Sequence, residues 1–378
     1  MASAFGVLFT VPAIAQVDIN TPAEFAIIMD YKTGATLFEK NADVQTAPAS
    51  MSKLMTVAIV FERLANGTLT LEDKFEVSEK AWKMGGSKMW VRVDTEISVE
   101  DLLRGVVVQS GNDACIVIAE NISGSEDAFA TLMNQKARAW GMNDSTFANA
   151  TGWPHPDHKM SMRDLAKLTR KIIKDFGQYY PMFAETEFEW ENIRQPNRNP
   201  ILESVSGADG LKTGHTEESG YGLVGSAVQN GERRIVVVNG LTSDRERATE
   251  SRRLIRTSFS DFSNNVVFTP GSIVGDALVF KGREKTVPLI TDAPVEMLLH
   301  KSAVSDIDAK VIYTGPVAAP IKENQQIGVL RVQAGDGDPR EYPLYAGKSV
   351  REIGSLGKMG FALHSLLAKP APASDPAP

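Results

Sequence analysis

The periodicity of apolar residues changes near Asn265, and this change divides the chain into two parts. Before it, stretches with helical spacing alternate with strand-like runs, whereas after it only short β-rich runs punctuated by Gly and Pro occur. A chain of 378 residues is also longer than one hydrophobic core usually spans. We therefore predict two domains, of which the second is small and β-rich, with strands in 277–280, 286–290, 310–313 and 327–332.

The first part is predicted to be α+β, with helices flanking an antiparallel sheet. The runs 25–29 and 35–38 form one predicted hairpin, and 221–228 and 234–239 form another, with Gly231 in the turn. Helix signals lie between and after them. The predicted helices are an amphipathic one that follows Ser50 and stops at Gly67, one that starts at the capping box Ser98-Val99-Glu100-Asp101, one that follows the polar turn 109–113, one that starts at Ser161, and one over 246–262.

Charge and cysteine content argue against a nucleic-acid-binding protein and a disulfide-stabilised fold. The formal net charge of −7, without any Lys/Arg-rich run to neutralise phosphates, argues against nucleic acid as the main partner. The single cysteine, Cys115, cannot form an internal disulfide, so the fold rests on its core. Because it lies in an apolar run, we interpret Cys115 as a buried hydrophobic residue rather than a catalytic thiol.

The first residues have the pattern of an export signal. An apolar run over 4–12 is too short to span a bilayer and ends in Ala13-Ile14-Ala15, a small-x-small sequence typical of signal-peptidase sites. We predict that residues 1–15 are a signal-peptide remnant and that the mature chain starts at Gln16. No Lys or Arg precedes the run, and a buried N-terminal strand is the alternative.

The sequence Ser50-Met51-Ser52-Lys53 is the first candidate for chemistry. A serine hydroxyl barely ionises at neutral pH and needs a base to act as a nucleophile. Positions three apart share a helix face, so Ser50 and Lys53 are expected to point the same way at a helix N-terminus, where free N–H groups suit an oxyanion. Taken alone, the pattern is weak, because serine is also a common helix cap.

Two further short motifs follow in the chain. Ser110-Gly111-Asn112 lies in a polar turn, where a serine can shuttle a proton and an asparagine amide can bind a carbonyl; an ordinary Asn/Gly turn is the alternative. Lys212-Thr213-Gly214 precedes a strand, with a second cation, a hydroxyl donor and room for a substrate backbone. A second copy, Lys32-Thr33-Gly34, lies upstream of Ser50 in a predicted hairpin turn, and we interpret it as coincidence.

The ordered combination of the three motifs is far more specific than any one of them. S-x-x-K, S-x-N and K-T-G in this order are the signature of penicillin-interacting serine enzymes. The longer stretches P-A-S-M-S-K-L-M-T, Q-S-G-N-D-A-C and D-G-L-K-T-G-H-T-E-E-S-G-Y resemble the D-alanyl-D-alanine carboxypeptidases among the low-molecular-mass penicillin-binding proteins. The resemblance covers residues from about 22 to 262 and extends more weakly to the β-rich part.

The resemblance implies a domain layout. A transpeptidase/β-lactamase-like catalytic domain is expected at 22–263, followed by the small β-rich domain at 264–350. Residues 351–378 are expected to hold an amphipathic membrane anchor or a domain-packing tail, two alternatives that the sequence leaves open, because glycines and a thin basic face weaken the helix. The Pro/Ala-rich end from Pro370 is expected to be disordered.

The resemblance also implies roles in the reaction. Ser50 attacks the carbonyl between two D-Ala residues and becomes acylated, while Lys53 takes its proton. Ser110 and Lys212 help to pass a proton to the leaving D-Ala. The backbone N–H groups of Ser50 and His215 form the oxyanion hole.

Substrate binding is assigned in the same way. Asn112 holds the substrate's peptide, and Thr213 with Arg247 binds the terminal carboxylate, which a guanidinium fork suits. Arg245 is the competing candidate for the carboxylate. Arg198 is expected to support the cleft without a catalytic role.

Other conspicuous residues receive structural interpretations. His155 and His158 lie close together, but no third ligand is positioned to make a metal site, so a surface turn is expected. Trp82, Trp90 and Trp153 either line a cleft or, as is commoner, pack in a core or interface.

The sequence therefore predicts a periplasmic serine D-alanyl-D-alanine carboxypeptidase that needs no metal or organic cofactor. Its expected partners are peptidoglycan peptide stems and β-lactam antibiotics, with peripheral contact of the C-terminal tail with the inner membrane and no nucleic acid. A β-lactamase, a D,D-endopeptidase and a penicillin-binding scaffold without turnover are the alternatives.

Overall fold

The computed structural model describes residues 19–301, 307–334 and 339–354. The predicted signal-peptide remnant and most of the predicted C-terminal anchor and tail lie outside these residues. The chain divides into two compact units, one that ends at Phe262 and one that continues from Ser263. Among the helices in the described ranges, none has the length and apolar character that crossing a bilayer requires.

The first unit contains helices and strands in mixed order, as the sequence predicts. Its strands are β1 Phe25–Asp30, β2 Thr36–Lys40, β3 Lys74–Glu76, β4 Glu96–Ser98, β5 Glu187–Trp190, β6 Ile193–Pro196, β7 Ala208–Thr216, β8 Gly220–Gln229 and β9 Glu232–Leu241. Its α-helices are α1 Lys53–Ala65, α2 Glu79–Lys83, α3 Val99–Val107, α4 Asn112–Ser123, α5 Glu126–Ala139, α6 Met162–Asp175 and α7 Asp244–Ser260. Two 3-10 helices are Ala49–Ser52 and Tyr180–Ala184.

The main sheet of this unit has five antiparallel strands in the order β2-β1-β9-β8-β7. Both predicted hairpins are present, and Gly231 takes the left-handed conformation in its turn with φ 78°. The strand that carries the second K-T-G, β7, therefore lies at an edge of the sheet. The predicted α+β class is confirmed.

Helix α1 differs from the amphipathic helix that the sequence predicts. Its apolar positions Leu54, Val57 and Phe61 are buried as expected, but every residue from Lys53 to Phe61 is buried. Helices α3, α4, α5 and α6 contact α1, so it is a central helix rather than one with a solvent face. The segment at its start, which holds the predicted nucleophile Ser50, is thus anchored in the core.

Serine side chains cap the helices at the predicted places. Ser98 Oγ accepts a hydrogen bond from Asp101 N at 3.1 Å, and Ser161 Oγ accepts one from Asp164 N at 3.1 Å. Such caps satisfy N–H groups that have no partner within the helix. The last helix of this unit, α7, starts at Asp244, two residues before the predicted start.

The second unit is built from β-strands, which confirms its predicted class. Its strands are β10 Phe262–Phe268, β11 Ile273–Phe280, β12 Thr286–Ile290, β13 Val295–His300, β14 Ile307–Tyr313, β15 Val317–Ala318, β16 Gln326–Ala334 and β17 Arg340–Ala346. Six of them form one sheet in the order β14-β16-β17-β12-β11-β15, and β10 pairs with β13. A separate core that includes Val287, Leu330 and Leu344 stabilises this unit.

Candidate active site

Ser50 lies in the 3-10 helix Ala49–Ser52, which runs directly into α1. In a 3-10 helix the side chains at i and i+3 eclipse each other. Lys53 Nζ accordingly donates a hydrogen bond to Ser50 Oγ at 2.7 Å. The sequence predicts that these two side chains meet in the first turn of an α-helix. They do meet, but in a 3-10 helix, whose tighter turn aligns positions three apart more directly.

Lys53 is completely buried, and this determines its chemistry. The pKa of Lys53 is lowered to about 8, mainly by burial and also by the nearby charge of Arg198, while Cys115 and Asp113 act in the opposite direction. A lysine with such a pKa has a substantial neutral fraction near neutral pH, unlike an exposed lysine. In its neutral form Lys53 can accept the proton of the Ser50 hydroxyl.

A loop after α5 holds the amino group of Lys53 from its other side. Lys53 Nζ donates a hydrogen bond to the carbonyl of Thr151 at 2.5 Å. Asn149 shapes this loop, because its Oδ1 accepts hydrogen bonds from Thr151 N, Thr151 Oγ1, Gly152 N and Trp153 N at 3.2, 3.1, 2.8 and 3.1 Å. Asn149 Nδ2 donates to Trp153 O at 3.0 Å. The sequence analysis missed this residue, which has no motif around it.

The S-x-N motif lies between α3 and α4. Ser110 is buried and has a left-handed backbone with φ 61°. The sequence analysis places Asn112 in the polar turn 109–113, but in the structure it is the first residue of α4. Its backbone N–H donates to Ser87 O at 2.7 Å, and its Nδ2 donates to Gly85 O at 2.9 Å. The segment around Gly85 and Ser87 is thus bound to the motif.

The carboxylate of Asp113 is a second feature that sequence reasoning missed. It is fully buried and accepts four backbone hydrogen bonds, from Met89 N, Trp90 N, Val91 N and Ala114 N at 2.9, 2.9, 3.2 and 3.0 Å. Backbone donors satisfy a buried carboxylate without another cation. Asp113 therefore fixes the path of residues 89–91 next to the motif.

Lys212 and Thr213 lie in β7 and are both buried. Burial is the main reason that the pKa of Lys212 is held well below its usual value, and the positive charges of Lys53, Arg198 and Arg247 lower it further. Lys212 Nζ donates to Thr213 O at 3.2 Å. Because β7 contacts the 3-10 helix Ala49–Ser52, the K-T-G motif lies beside Ser50, the predicted nucleophile.

The earlier copy of K-T-G lies elsewhere. It occupies the turn between β1 and β2, where the hydroxyl of Thr33 donates to the carboxylate of Asp30 at 2.5 Å. The interpretation of this copy as a plain hairpin turn is confirmed.

Two glycines allow the surrounding chain to approach the nucleophile segment closely. A Cβ on Gly214 would lie 2.8 Å from Pro48 O, and a Cβ on Gly152 would lie 2.0 Å from Ala49 O. Gly152 also has a left-handed backbone with φ 78°. The absence of a side chain at Gly214 thus lets Pro48 pack closely against β7. The sequence analysis expects the same position to leave room for a substrate backbone.

Arg247 is buried, whereas Arg245 is exposed. The guanidinium of Arg247 pairs with Asp244 and lies 5.7 Å from the ring centre of Tyr221, on which His215 stacks at 3.9 Å. Among the described residues, Nε of Arg247 finds no hydrogen-bond partner. An unpaired, buried donor beside the K-T-G strand favours Arg247 over Arg245 as the anion-binding residue. The sequence analysis missed Tyr221.

Arg198, which the sequence analysis expects to support the cleft, lies close to the S-x-N motif. Its Nη1 donates to Ser87 Oγ at 2.6 Å, next to the residues that Asn112 contacts. Burial lowers the pKa of Arg198, but a guanidinium stays charged at neutral pH. It therefore adds a permanent positive charge to the site.

The interpretation of Cys115 is confirmed and that of His158 is wrong. Cys115 is buried, and burial raises the pKa of its thiol to about 12. His158 is also buried, and its Nδ1 accepts a hydrogen bond from Ala148 N at 3.3 Å, whereas His155 is exposed. Burial lowers the pKa of His158 to about 4, so this ring is neutral. No cluster of three or more metal-ligating side chains occurs in the described ranges.

The three tryptophans, for which the sequence analysis leaves open a cleft lining or the commoner packing in a core or interface, are exposed. The exposed fractions of Trp82, Trp90 and Trp153 are 44%, 52% and 47%. None of the three is packed in a core, which is the commoner environment of tryptophan. Sequence pattern alone did not reveal this, because tryptophan is usually buried and the alternation around these positions is weak.

Comparison with known proteins matches both units of the chain. The family described as D-alanyl-D-alanine carboxypeptidase matches residues 12–243, and the family described as penicillin-binding protein 5, C-terminal domain, matches residues 262–352. The D-alanyl-D-alanine carboxypeptidase DacC of Escherichia coli (strain K12) is 34% identical over 369 residues, which cover 94% of this chain and 92% of that protein.

The chain therefore belongs to the D-alanyl-D-alanine carboxypeptidase family.

Solved structures of related proteins agree with this membership. The carboxypeptidase DacD of Francisella tularensis superimposes with a TM-score of 0.76 at 30% identity and covers 92% of this chain and 98% of its own. Penicillin-binding protein D2 of Listeria monocytogenes in its ampicillin-bound form has a TM-score of 0.59 at 27% identity and covers 65% of this chain and 100% of its own. Membership of this carboxypeptidase family makes the protein a serine-type hydrolase.

The loop around Asn149 generates a first testable prediction. Replacing Asn149 by Ala removes the acceptor that orders residues 151–153 and releases the carbonyl that holds Lys53 Nζ. We expect the rate constant of acylation by a penicillin to fall up to about 100-fold, since small displacements of catalytic groups have effects of this size. Unfolding free energy should fall by about 1–3 kcal/mol.

Stopped-flow acylation kinetics and thermal unfolding measure the two effects. Asn143→Ala, at an exposed asparagine of the same region, is the matched control and should change neither. Acylation at the wild-type rate in Asn149→Ala would show that the loop does not position Lys53.

Proposed function

We propose that this chain removes the terminal D-Ala from peptidoglycan pentapeptides through an acyl-enzyme on Ser50. The contact of 2.7 Å between Lys53 Nζ and Ser50 Oγ carries the proposal, because the pKa of Lys53 is lowered to about 8 by burial. A neutral amine at hydrogen-bond distance from a hydroxyl is a general base for that hydroxyl.

The first half of the reaction forms the ester. Neutral Lys53 takes the proton of Ser50 as Oγ attacks the carbonyl carbon of the penultimate D-Ala. The backbone N–H groups of Ser50 and His215 stabilise the resulting oxyanion. When the intermediate collapses, the C–N bond breaks, and the amine of the terminal D-Ala receives its proton through Ser110 and Lys212.

The second half regenerates the enzyme. Water attacks the ester carbonyl, the C–Oγ bond breaks, and the shortened peptide leaves with a new carboxylate while Ser50 recovers its proton. No glutamate hydrogen-bonds to Ser50 or Lys53 in the described part of the chain. A bulky penicilloyl group, which cannot depart as D-Ala does, is therefore expected to persist on Ser50.

Substrate binding uses the residues that border Ser50. Asn112 holds the substrate's peptide group. Thr213 and Arg247 bind the terminal carboxylate, since Arg247 is buried with a free Nε and lies beside the K-T-G strand. The guanidinium groups of Arg198 and Arg247 stay charged and favour substrates with a negative charge at the terminal carboxylate.

The cellular location and the binding partners follow from the same proposal. The cell-wall substrate and the predicted signal at 1–15 assign the chain to the periplasm. Peptide stems of peptidoglycan are its substrates, and β-lactam antibiotics acylate it, as the ampicillin-bound form of the Listeria protein supports. Peripheral contact with the inner membrane is proposed for the C-terminal tail within 351–378.

The central prediction distinguishes a carboxypeptidase from a β-lactamase and from an endopeptidase. Wild-type protein should release free D-Ala from a pentapeptide over many turnovers, and penicillin should add one drug mass to the peptide that contains Ser50. Ser50→Ala should abolish both without lowering the unfolding temperature. Timed mass spectrometry follows the adduct and the released amino acid together.

Each contrary outcome points to a different enzyme or to a different nucleophile. Fast, sustained hydrolysis of penicillin without D-Ala release indicates a β-lactamase. Cleavage restricted to cross-linked peptides indicates an endopeptidase. An adduct that survives Ser50→Ala would falsify the assignment of the nucleophile.

The lowered pKa of Lys53 generates a pH prediction. A base must be neutral, and its neutral fraction grows as pH rises, so acylation by penicillin should increase with pH and reach half its maximum near pH 8. Arg198→Gln removes a charge that lowers the pKa of Lys53, so the midpoint should move to higher pH. Arg194→Gln, at an exposed arginine paired with Glu187, is the control and should leave the midpoint in place. A flat profile between pH 6 and 10 would contradict Lys53 as the base.

Arg247 generates a prediction on substrate choice. Arg247→Ala should lower kcat/KM for a pentapeptide with a free carboxylate by about 10- to 150-fold, equivalent to the about 1.5–3 kcal/mol of a charge-assisted contact. A pentapeptide with an amidated C-terminus already lacks the contact and should be affected little. Arg245→Ala, at the exposed neighbour, is the control. Equal losses on both peptides would assign Arg247 a structural role.

A further inference from the structure

A groove beside the S-x-N motif has a lining that the reaction does not use. It has a volume of about 420 Å³ and is lined by Trp82, Lys83, Lys88, Trp90, Val91 and Arg92. Its size falls within the roughly 300–1,000 Å³ of small-ligand sites. Two indoles that are 44% and 52% exposed form its walls, although large aromatic side chains normally seek burial.

The groove is attached directly to the candidate active site. Lys88 follows Ser87, whose carbonyl accepts the backbone N–H of Asn112 at 2.7 Å. Trp82 lies three residues before Gly85, whose carbonyl accepts Asn112 Nδ2 at 2.9 Å. Three residues of chain span at most about 11 Å. Trp82 therefore lies within about 11 Å of a backbone group that Asn112 contacts, and Lys88 lies next to another.

The backbone holds Trp90 in its exposed position. Trp90 has φ 73°, a left-handed conformation that is a genuine outlier for a bulky residue. Asp113 maintains it by accepting Trp90 N and Val91 N at 2.9 and 3.2 Å. Strained conformations that the surroundings enforce are concentrated at functional sites. Here the enforced conformation displays an indole to solvent rather than packing it.

The charges of the groove indicate the chemistry of its ligand. Lys83 pairs with Glu79, and Arg92 pairs with Glu191 at 2.9 Å, so both are neutralised. Lys88 has no carboxylate partner within the described ranges; its Nζ donates to Trp82 O at 2.7 Å and lies 5.7 Å from the ring centre of Trp90. An ammonium has three donors, so others remain for ligand oxygens. The groove thus combines flat apolar walls with one free cation.

We propose that this groove binds the glycan of peptidoglycan, through N-acetylated amino sugars that stack on Trp82 and Trp90 and accept hydrogen bonds from Lys88. Such sugars have flat C–H faces, which suit indole faces, and neutral hydroxyl and acetamido oxygens, which suit a single ammonium. With Lys83 and Arg92 already paired to Glu79 and Glu191, Lys88 is the cation left to bind ligand oxygens. The inference rests on the proposed function, because the glycan is the part of that substrate to which the peptide is attached.

The test compares one peptide with and without its sugars. Kinetics are measured on a free pentapeptide and on the same pentapeptide attached to the disaccharide of N-acetylglucosamine and N-acetylmuramic acid. Trp82→Ala and Lys88→Ala should raise KM for the disaccharide substrate about five- to tenfold and leave the free peptide unchanged. Lys74→Ala, at an exposed lysine of β3 outside the groove lining, is the matched control and should change neither value.

A binding measurement keeps this inference separate from the catalytic proposal. Wild-type protein and Trp82→Ala, each acylated with penicillin, are titrated with a tetramer of β-1,4-linked N-acetylglucosamine in a calorimeter. Saturable binding that is lost in Trp82→Ala is expected. Equal effects on both substrates, or no effect on either together with unchanged tetrasaccharide binding, would overturn the glycan site. If wild-type protein releases no D-Ala from either substrate, the proposed function fails while the titration still decides the groove.

Discussion

The burial of positive charge around one serine is the constraint on which the rest of the site depends. Lys53, Lys212 and Arg247 are buried within the first unit, and Arg198 adds a fourth cation at its margin. Cations that share a site disfavour each other's charged forms, and burial acts in the same direction. The ammonium groups give up protons more easily as a result, whereas the guanidinium groups stay charged. One cluster can thereby supply both the base and the anion-binding groups that the proposed function requires.

Such a cluster needs neutral dipoles to hold it, because further carboxylates would cancel its field. The Thr151 carbonyl takes one donor of Lys53, and the Thr213 carbonyl takes one of Lys212. The buried carboxylate of Asp113 lies near Lys53, and four backbone N–H groups stabilise its negative charge. The loops that carry these carbonyls therefore matter as much as the helices. Asn149 has such a role, since it determines where the Thr151 carbonyl points.

Much of the site was predictable because its chemistry is local in sequence. Ser50 and Lys53 are three residues apart, and the order of the three motifs restricts the fold to one that brings them together. The helix caps at Ser98 and Ser161 were predictable for the same reason. The contacts of Asn149 and Asp113 with backbone groups carry no such signal. Neither residue type nor spacing indicates which of many polar side chains will accept several N–H groups in a folded loop.

Exposure was harder to predict than contact between motifs. The sequence favours packing for Trp82 and Trp90 and a surface turn for His158, and the structure reverses both. Burial of a single residue in a loop depends on which segments cover it, and this is a property of the whole fold rather than of nearby periodicity. The reversal also has a physical consequence. Neutral His158 is accommodated in the core without a charged partner, whereas two solvent-exposed indoles beside Asn112 lose the stabilisation that burial would give. A segment that keeps Trp82 and Trp90 in water, with Trp90 at a backbone angle that Asp113 enforces, is better explained by what it binds than by the stability of the fold.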